Sequence, residues 1–274
     1  MKKSSLNRAL VVLTVVVVIL SIWGPEALAV YKERSILNQV QSGEEETGGE
    51  GYRYQLSSNE KLYILSQCLN SRTLPETELS AQTKAEETSY QELTGTYAFV
   101  VNRKGPSGCE ITDEEIYETT NKGLSALKEL GILPDSIREV QAGDYEATLY
   151  SAIDVPEPRN NVAVWKVSLI DSLQNTNKEN RLIDAYIDAD DGKIYEFYVR
   201  TQMDWEDVDA DALMEAWSSY MELGMPEVYE TDNPLLETTP YYRKYVFSGM
   251  GDERTIVTVG LYDGIDELFL KISK

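Results

Sequence analysis

The sequence predicts an α+β fold: antiparallel sheets with helices packed on one face, after an N-terminal apolar helix. Three observations predict it. Apolar residues alternate in short runs bounded by turn residues, the pattern of half-buried strands. Consecutive runs are joined by short polar loops, which favours antiparallel pairing. Between them lie stretches with helical spacing, capping residues and glycine stops.

The chain opens with "MKKSSLNRALVVLTVVVVILSIWGPEALAVYKE". Lys2, Lys3 and Arg8 precede an almost wholly apolar run over residues 9–23. As a helix this run spans about 22 Å, short of a hydrocarbon core of about 30 Å. Gly24-Pro25 then breaks the helix, and Ala27-Leu28-Ala29 matches a small-x-small cleavage site. Cleavage after Ala29 would release a secreted protein. Against cleavage, the run is long for a signal-peptide core and Glu26 sits close to the scissile bond. Tilt and bilayer thinning would let residues 9–30 serve as an uncleaved anchor. Residues 1–30 therefore read as a signal-anchor or a signal peptide. Either way the cations stay in the cytoplasm and everything after residue 30 is exported. Residues 31–51, rich in Gly and Glu towards their end, read as a flexible acidic stalk.

Residues 52–110 form an N-terminal α+β segment. Residues 52–56 alternate like a short strand. Ser57 or Ser58 caps a helix running to about Asn70, with Leu62, Ile64, Leu65 and Leu69 mainly on one side. Residues 71–92 are polar, and 96–105 read as a strand closing at a Gly-Pro turn.

Residues 111–202 begin with the clearest helix. Thr112 and Glu115 form a capping box, and Ile116, Thr120, Leu124, Leu127 and Leu130 make the apolar stripe. Gly131 stops it. Strands follow at 144–153, 162–170, 182–188 and 193–200, with 171–180 as a polar break. Residues 203–274 repeat the order: a helix opened by Asp207, Asp209 and Asp211, then strands near 241–248, 254–261 and 265–272. "KELGILP" and "MELGMP" end the two helices alike, which suggests two similar helix-plus-sheet units. A good helix stop alone also produces that pattern.

Composition narrows the function. Apolar residues make up 42% of 274 residues, enough for a packed core. Formal net charge is −22; with the leader at +2 (Lys2, Lys3 and Arg8 against Glu26), the part after residue 29 stands near −24. That argues against nucleic acid, whose phosphates need a basic face. Histidine is absent from the sequence, which makes Ser-His-Asp, Cys-His and zinc-hydrolase chemistry poor fits. Cys68 and Cys109 fit no CxxC pattern; after export they could pair, or Cys68 could simply be buried.

The densest signal is "LIDAYIDADDGKIYEFYV", residues 182–199. As an EF-hand loop with Gly192 at position 6, positions 1 and 3 would hold Ile187 and Ala189, so two ligand slots are lost. The alternation instead makes 190–192 the turn of a β-hairpin. In residues 207–217 the glycine slot holds Ala212, and acids at a helix N-terminus are the better reading. The sequence nominates no catalytic, cofactor-binding or metal residue, and no cofactor.

The stretch "ITDEEI", the strand "VWKVSL" and this hairpin resemble the PepSY module, over about residues 112–200. Trp165, Val167, Ile187, Asp188, Ala189, Gly192, Lys193 and Ile194 match its Trp-x-Val strand and IDA-x-TGKI hairpin; Asp191 departs from the usual Thr or Asn. The resemblance implies an exported or membrane-tethered, non-catalytic regulatory module of the Gram-positive envelope. The layout of leader, stalk and α+β units is also similar to the tethered accessory proteins of the cell-wall two-component system. The expected function is therefore an extracytoplasmic module that binds a protein partner at the outer face of the cell membrane, such as a sensor kinase or a peptidase. The alternatives are a secreted peptidase inhibitor and, least favoured, a carboxylate-based envelope enzyme.

Overall fold

The computed structural model describes residues 53–70, 96–174, 179–229, 241–251, 253–262 and 264–274. All lie in one compact unit, Thr47–Lys274. The expected leader, stalk and polar stretch 71–92 lie outside the described residues.

In chain order the elements are α1 (Ser58–Asn70), β1 (Tyr97–Val101), α2 (Ile116–Glu129), β2 (Tyr145–Asp154), β3 (Asn161–Leu169), α3 (Asp171–Gln174), β4 (Arg181–Asp188) and β5 (Ile194–Arg200). A 3-10 turn (Trp205–Asp207), α4 (Ala210–Tyr220), β6 (Glu227–Val228), β7 (Tyr242–Ser248), β8 (Arg254–Tyr262) and β9 (Glu267–Ser273) complete it.

The expected fold class needs correction. The strands form one nine-stranded antiparallel sheet, in the order β1-β2-β3-β4-β5-β9-β8-β7-β6, with few helices. There are not two helix-plus-sheet units with helices on one face. The join is β5 with β9, where Phe197 pairs with Leu270 and Arg200 with Glu267. Each strand would otherwise expose a row of unpaired amides and carbonyls, and pairing them removes both edges at once.

Helix α1 was expected to bury one side. Instead every residue from Leu62 to Cys68 is buried. The helix packs against β1, β2 and β3 in one half of the sheet and against β8 and β9 in the other. Tyr63 meets Tyr97 edge-on and lies against Gly249, beyond the end of β7. Cys68 donates to the carbonyl of Ala98. Fully burying Leu62, Ile64 and Leu65 contributes about 1.5–3 kcal/mol each.

Local chemistry explains the helix ends. Ser57 and Glu60 form a capping box: the Ser57 amide donates to the Glu60 carboxylate at 2.8 Å and the Glu60 amide to the Ser57 hydroxyl at 3.4 Å. At α2 the Thr112 amide and hydroxyl both donate to Glu115, yet regular helix begins only at Ile116, after a turn. Asp209 caps α4 by accepting from the Ala212 amide.

Smaller differences from expectation have local causes. Residues 53–57 form no strand; the Tyr54 amide donates instead to Arg159 O in the β2–β3 loop. The strand expected over 96–105 ends at Val101. The break after β3 includes the one-turn helix α3. Cys68 is buried and Cys109 exposed, and the two form no disulfide. Among the described residues no helix is long and apolar enough to cross a membrane.

Candidate functional site

The β4–β5 hairpin holds the most concentrated ionisable chemistry of the described chain. Its connection is the five-residue loop 189–193, wider than the tight turn expected. The Asp188 amide donates to Lys193 O and the Gly192 amide to Asp188 O. Gly192 takes φ +76°, and a Cβ there would stand 2.5 Å from Thr119 Cγ2 on α2. Both the backbone and the close approach of α2 therefore require glycine. Two aspartates brace the loop: Asp188 accepts from the Asp190 amide at 2.7 Å and Asp191 from the Lys193 amide at 3.0 Å. The loop is also stitched outward, the Ala189 amide donating to Ala163 O and the Ile111 amide to Ala189 O.

A β-bulge aims the next side chain. Tyr186 pairs with Glu196 and Ile187 with Ile194, so Tyr195 is an extra residue in β5. Its hydroxyl donates to Asp188 at 2.5 Å. Asp188, 1% exposed, also accepts from Lys61 Nζ of α1 at 2.7 Å. Lys61 reaches Asp190 at 3.0 Å, and Arg53 bridges Asp190 at 2.8 Å and Glu110 at 2.7 Å. Chain entering the domain at residues 53–61 is thus bonded to the hairpin tip.

The electrostatics fix the protonation states. Burial pushes the Tyr195 phenol well above its usual range, and Asp188 adds to the effect. Burial alone would lower Lys61, but Asp188 and Asp190 outweigh it and leave the ammonium raised. Burial would raise Asp190; Lys61 and Arg53 overcome that and hold it low. Asp191 is raised by burial and by Asp188. At neutral pH Lys61 is therefore a cation and Tyr195 a neutral hydrogen-bond donor.

Two cavities flank Lys61. One, of about 780 Å³, is lined by Arg53, Tyr54, Leu56, Cys109, Asn161 and Asp190 among others. The other, of about 260 Å³, lies against Asp188, Asp191, Tyr195 and Glu222. The acids do not gather around a common centre: Asp188 and Asp190 face Lys61 and Arg53. Among the described residues no group of three or more His, Cys, Asp or Glu side chains could hold a metal ion.

The sequence pointed to the hairpin but missed Lys61, Arg53, Glu110 and Tyr195 as its partners. A lysine at the head of the largely apolar run "KLYILSQCL" was the available signal. Compared with known proteins, the chain matches no family model, no curated protein and no solved structure.

Proposed function

We propose that this chain is a non-catalytic interaction module held at the outer face of the cell membrane. It binds a protein partner there, such as a sensor kinase or an envelope peptidase, and adjusts that partner's activity. The observation that carries this reading is the bonding of Asp188. Its two side-chain donors, Lys61 at 2.7 Å and Tyr195 at 2.5 Å, tie α1 and β5 to it, so the least solvated carboxylate of the hairpin is used to hold shape. The apolar run at residues 9–23 behind Lys2, Lys3 and Arg8 supports export, with residues 9–30 as the membrane attachment. The PepSY-like residues of β3 and the hairpin support a regulatory role.

Chemical crosslinking in intact membranes, followed by capture of the tagged full-length protein, tests it. A reproducible protein partner is expected; capture of the tagged chain alone would sink the proposal. The Ala27-Leu28-Ala29 motif favours a second reading, a secreted peptidase inhibitor. Mass spectrometry of the native N-terminus separates the two: a membrane-bound species beginning at Met1 rejects the secreted form, and a soluble one beginning at Val30 supports it.

A further inference from the structure

A second surface combines a partly apolar cavity with a rim of acidic residues. The end of α2 and the start of α4 frame a cavity of about 190 Å³ lined by Leu130, Ile132, Met203, Val208, Leu213 and Leu268 among others. Leu130 stands at its mouth with 46% of its surface exposed, although it closes the apolar stripe of α2. An apolar cavity of about 150 Å³ takes up a benzene ring, so this one has room for a large aliphatic or aromatic side chain.

The rim is acidic. Asp207 and Asp209 line the cavity, and Asp204 and Glu206 are in the same loop. None of these four forms an ion pair among the described residues; the nearby Asp211 is the one taken, by Arg243. Lys128, near the end of α2, donates to the Ile137 carbonyl at 2.6 Å and forms no ion pair with these acids. Among the described residues the four acids therefore stand without an ion-pair partner around a partly apolar floor.

We infer that this cavity is a docking site for a partner segment that inserts one large apolar side chain and flanks it with Lys or Arg. The apolar anchor supplies burial, and the flanking cations meet the acidic rim, which speeds encounter and selects the partner. A second copy of this chain is a poor occupant, because it brings a further −22 of like charge. The site rests on the reading of the protein as an interaction module and names the chemistry of what it binds.

The test uses full-length protein in detergent micelles and a photoreactive peptide, Lys-Lys-Bpa-Lys-Lys, with benzoylphenylalanine (Bpa) at its centre. Crosslinks mapped by mass spectrometry are expected on residues 130–132 and 203–213, and to fall at least fivefold as salt rises from 50 to 500 mM. L130S should reduce them at least fivefold. D207N/D209N should do the same while sparing the fold, because asparagine caps a helix about as well as aspartate. Crosslinks elsewhere, equal labelling by Glu-Glu-Bpa-Glu-Glu, or indifference to both variants would overturn the site. So would a dimer in sedimentation that L130S dissociates, since the occupant would then be a second copy. If the membrane partner is captured equally by L130S and D207N/D209N, this site falls while the interaction module stands. If no partner is captured at all, the module falls first.

Discussion

Lys61 and Asp188 stand 127 positions apart in the chain and meet at 2.7 Å, joining the central helix to the hairpin tip. Asp188 has lost nearly all its water, and its carboxylate is bonded instead by Lys61, Tyr195 and the Asp190 amide. Removing one partner of such a pair costs about 3–5 kcal/mol, because a buried charge is left uncompensated. K61M should therefore lower the urea midpoint strongly. K61M/D188N should recover part of the loss, since the amide carries no charge to bury. A double mutant no more stable than K61M would refute a net ionic role for the pair.

Tyr195→Phe deletes the shortest hydrogen bond to the same carboxylate without changing its charge. The expected loss is about 1.5–3 kcal/mol, the range for hydrogen bonds to charged groups. Amide hydrogen exchange of residues 62–68 should accelerate, because α1 is tied to the hairpin through Asp188. Unchanged exchange there would separate the bulge from the helix.

Gly192 and Gly131 both have positive φ, +76° and +71°. At Gly131 a Cβ meets nothing within 4 Å, so G131A should cost only the left-handed backbone, about 1–2 kcal/mol. At Gly192 the same methyl meets Thr119 Cγ2, so G192A should cost more. T119S removes that methyl and should bring G192A close to G131A. Thermal unfolding of the four variants reads the difference.

Adjacent aspartates should respond to pH with opposite signs. Asp190 is held low by Lys61 and Arg53, so it stabilises the fold above the ordinary carboxylate pKa, and this is lost as pH falls through its lowered value. Asp191 is raised, so its contribution is present below the ordinary pKa and lost as pH rises through the raised value. At pH 7, D190N should destabilise and D191N should stabilise. Both differences should shrink in acid, once the wild-type groups are protonated. Urea titrations stepped from pH 7 into acid decide it: the D191N difference should fade first, at the higher pH, and the D190N difference last.

Cys109 should react with a maleimide in the native protein, whereas Cys68 should react only after unfolding. Equal protection of both thiols until a reductant is added would mean that they pair, contrary to the geometry.

Much of the local structure was legible from the residues. Alternation in "VAVWKVSLI" placed β3 within a residue of Asn161–Leu169, and Gly192 marked the hairpin. The stripe from Ile116 to Leu127 located α2, although the Thr112 box put its start three residues early. These features depend on neighbours within one or two turns of chain, where period and capping act directly. The two-residue strand β6 was not legible, because two residues show no period.

The sequence by itself determined where most of the described strands and helices lie, that the chemistry of histidine is missing, and that an apolar segment precedes an acidic domain. The tertiary structure alone decided that β5 pairs with β9, that α1 touches both halves of one sheet, and that Lys61, Arg53 and Tyr195 converge on the hairpin's aspartates. Periodicity records which face of a segment is apolar, but not which distant segment will cover it. That choice is made by burial and by the need to pair every buried polar group, and both are satisfied only when the whole chain closes.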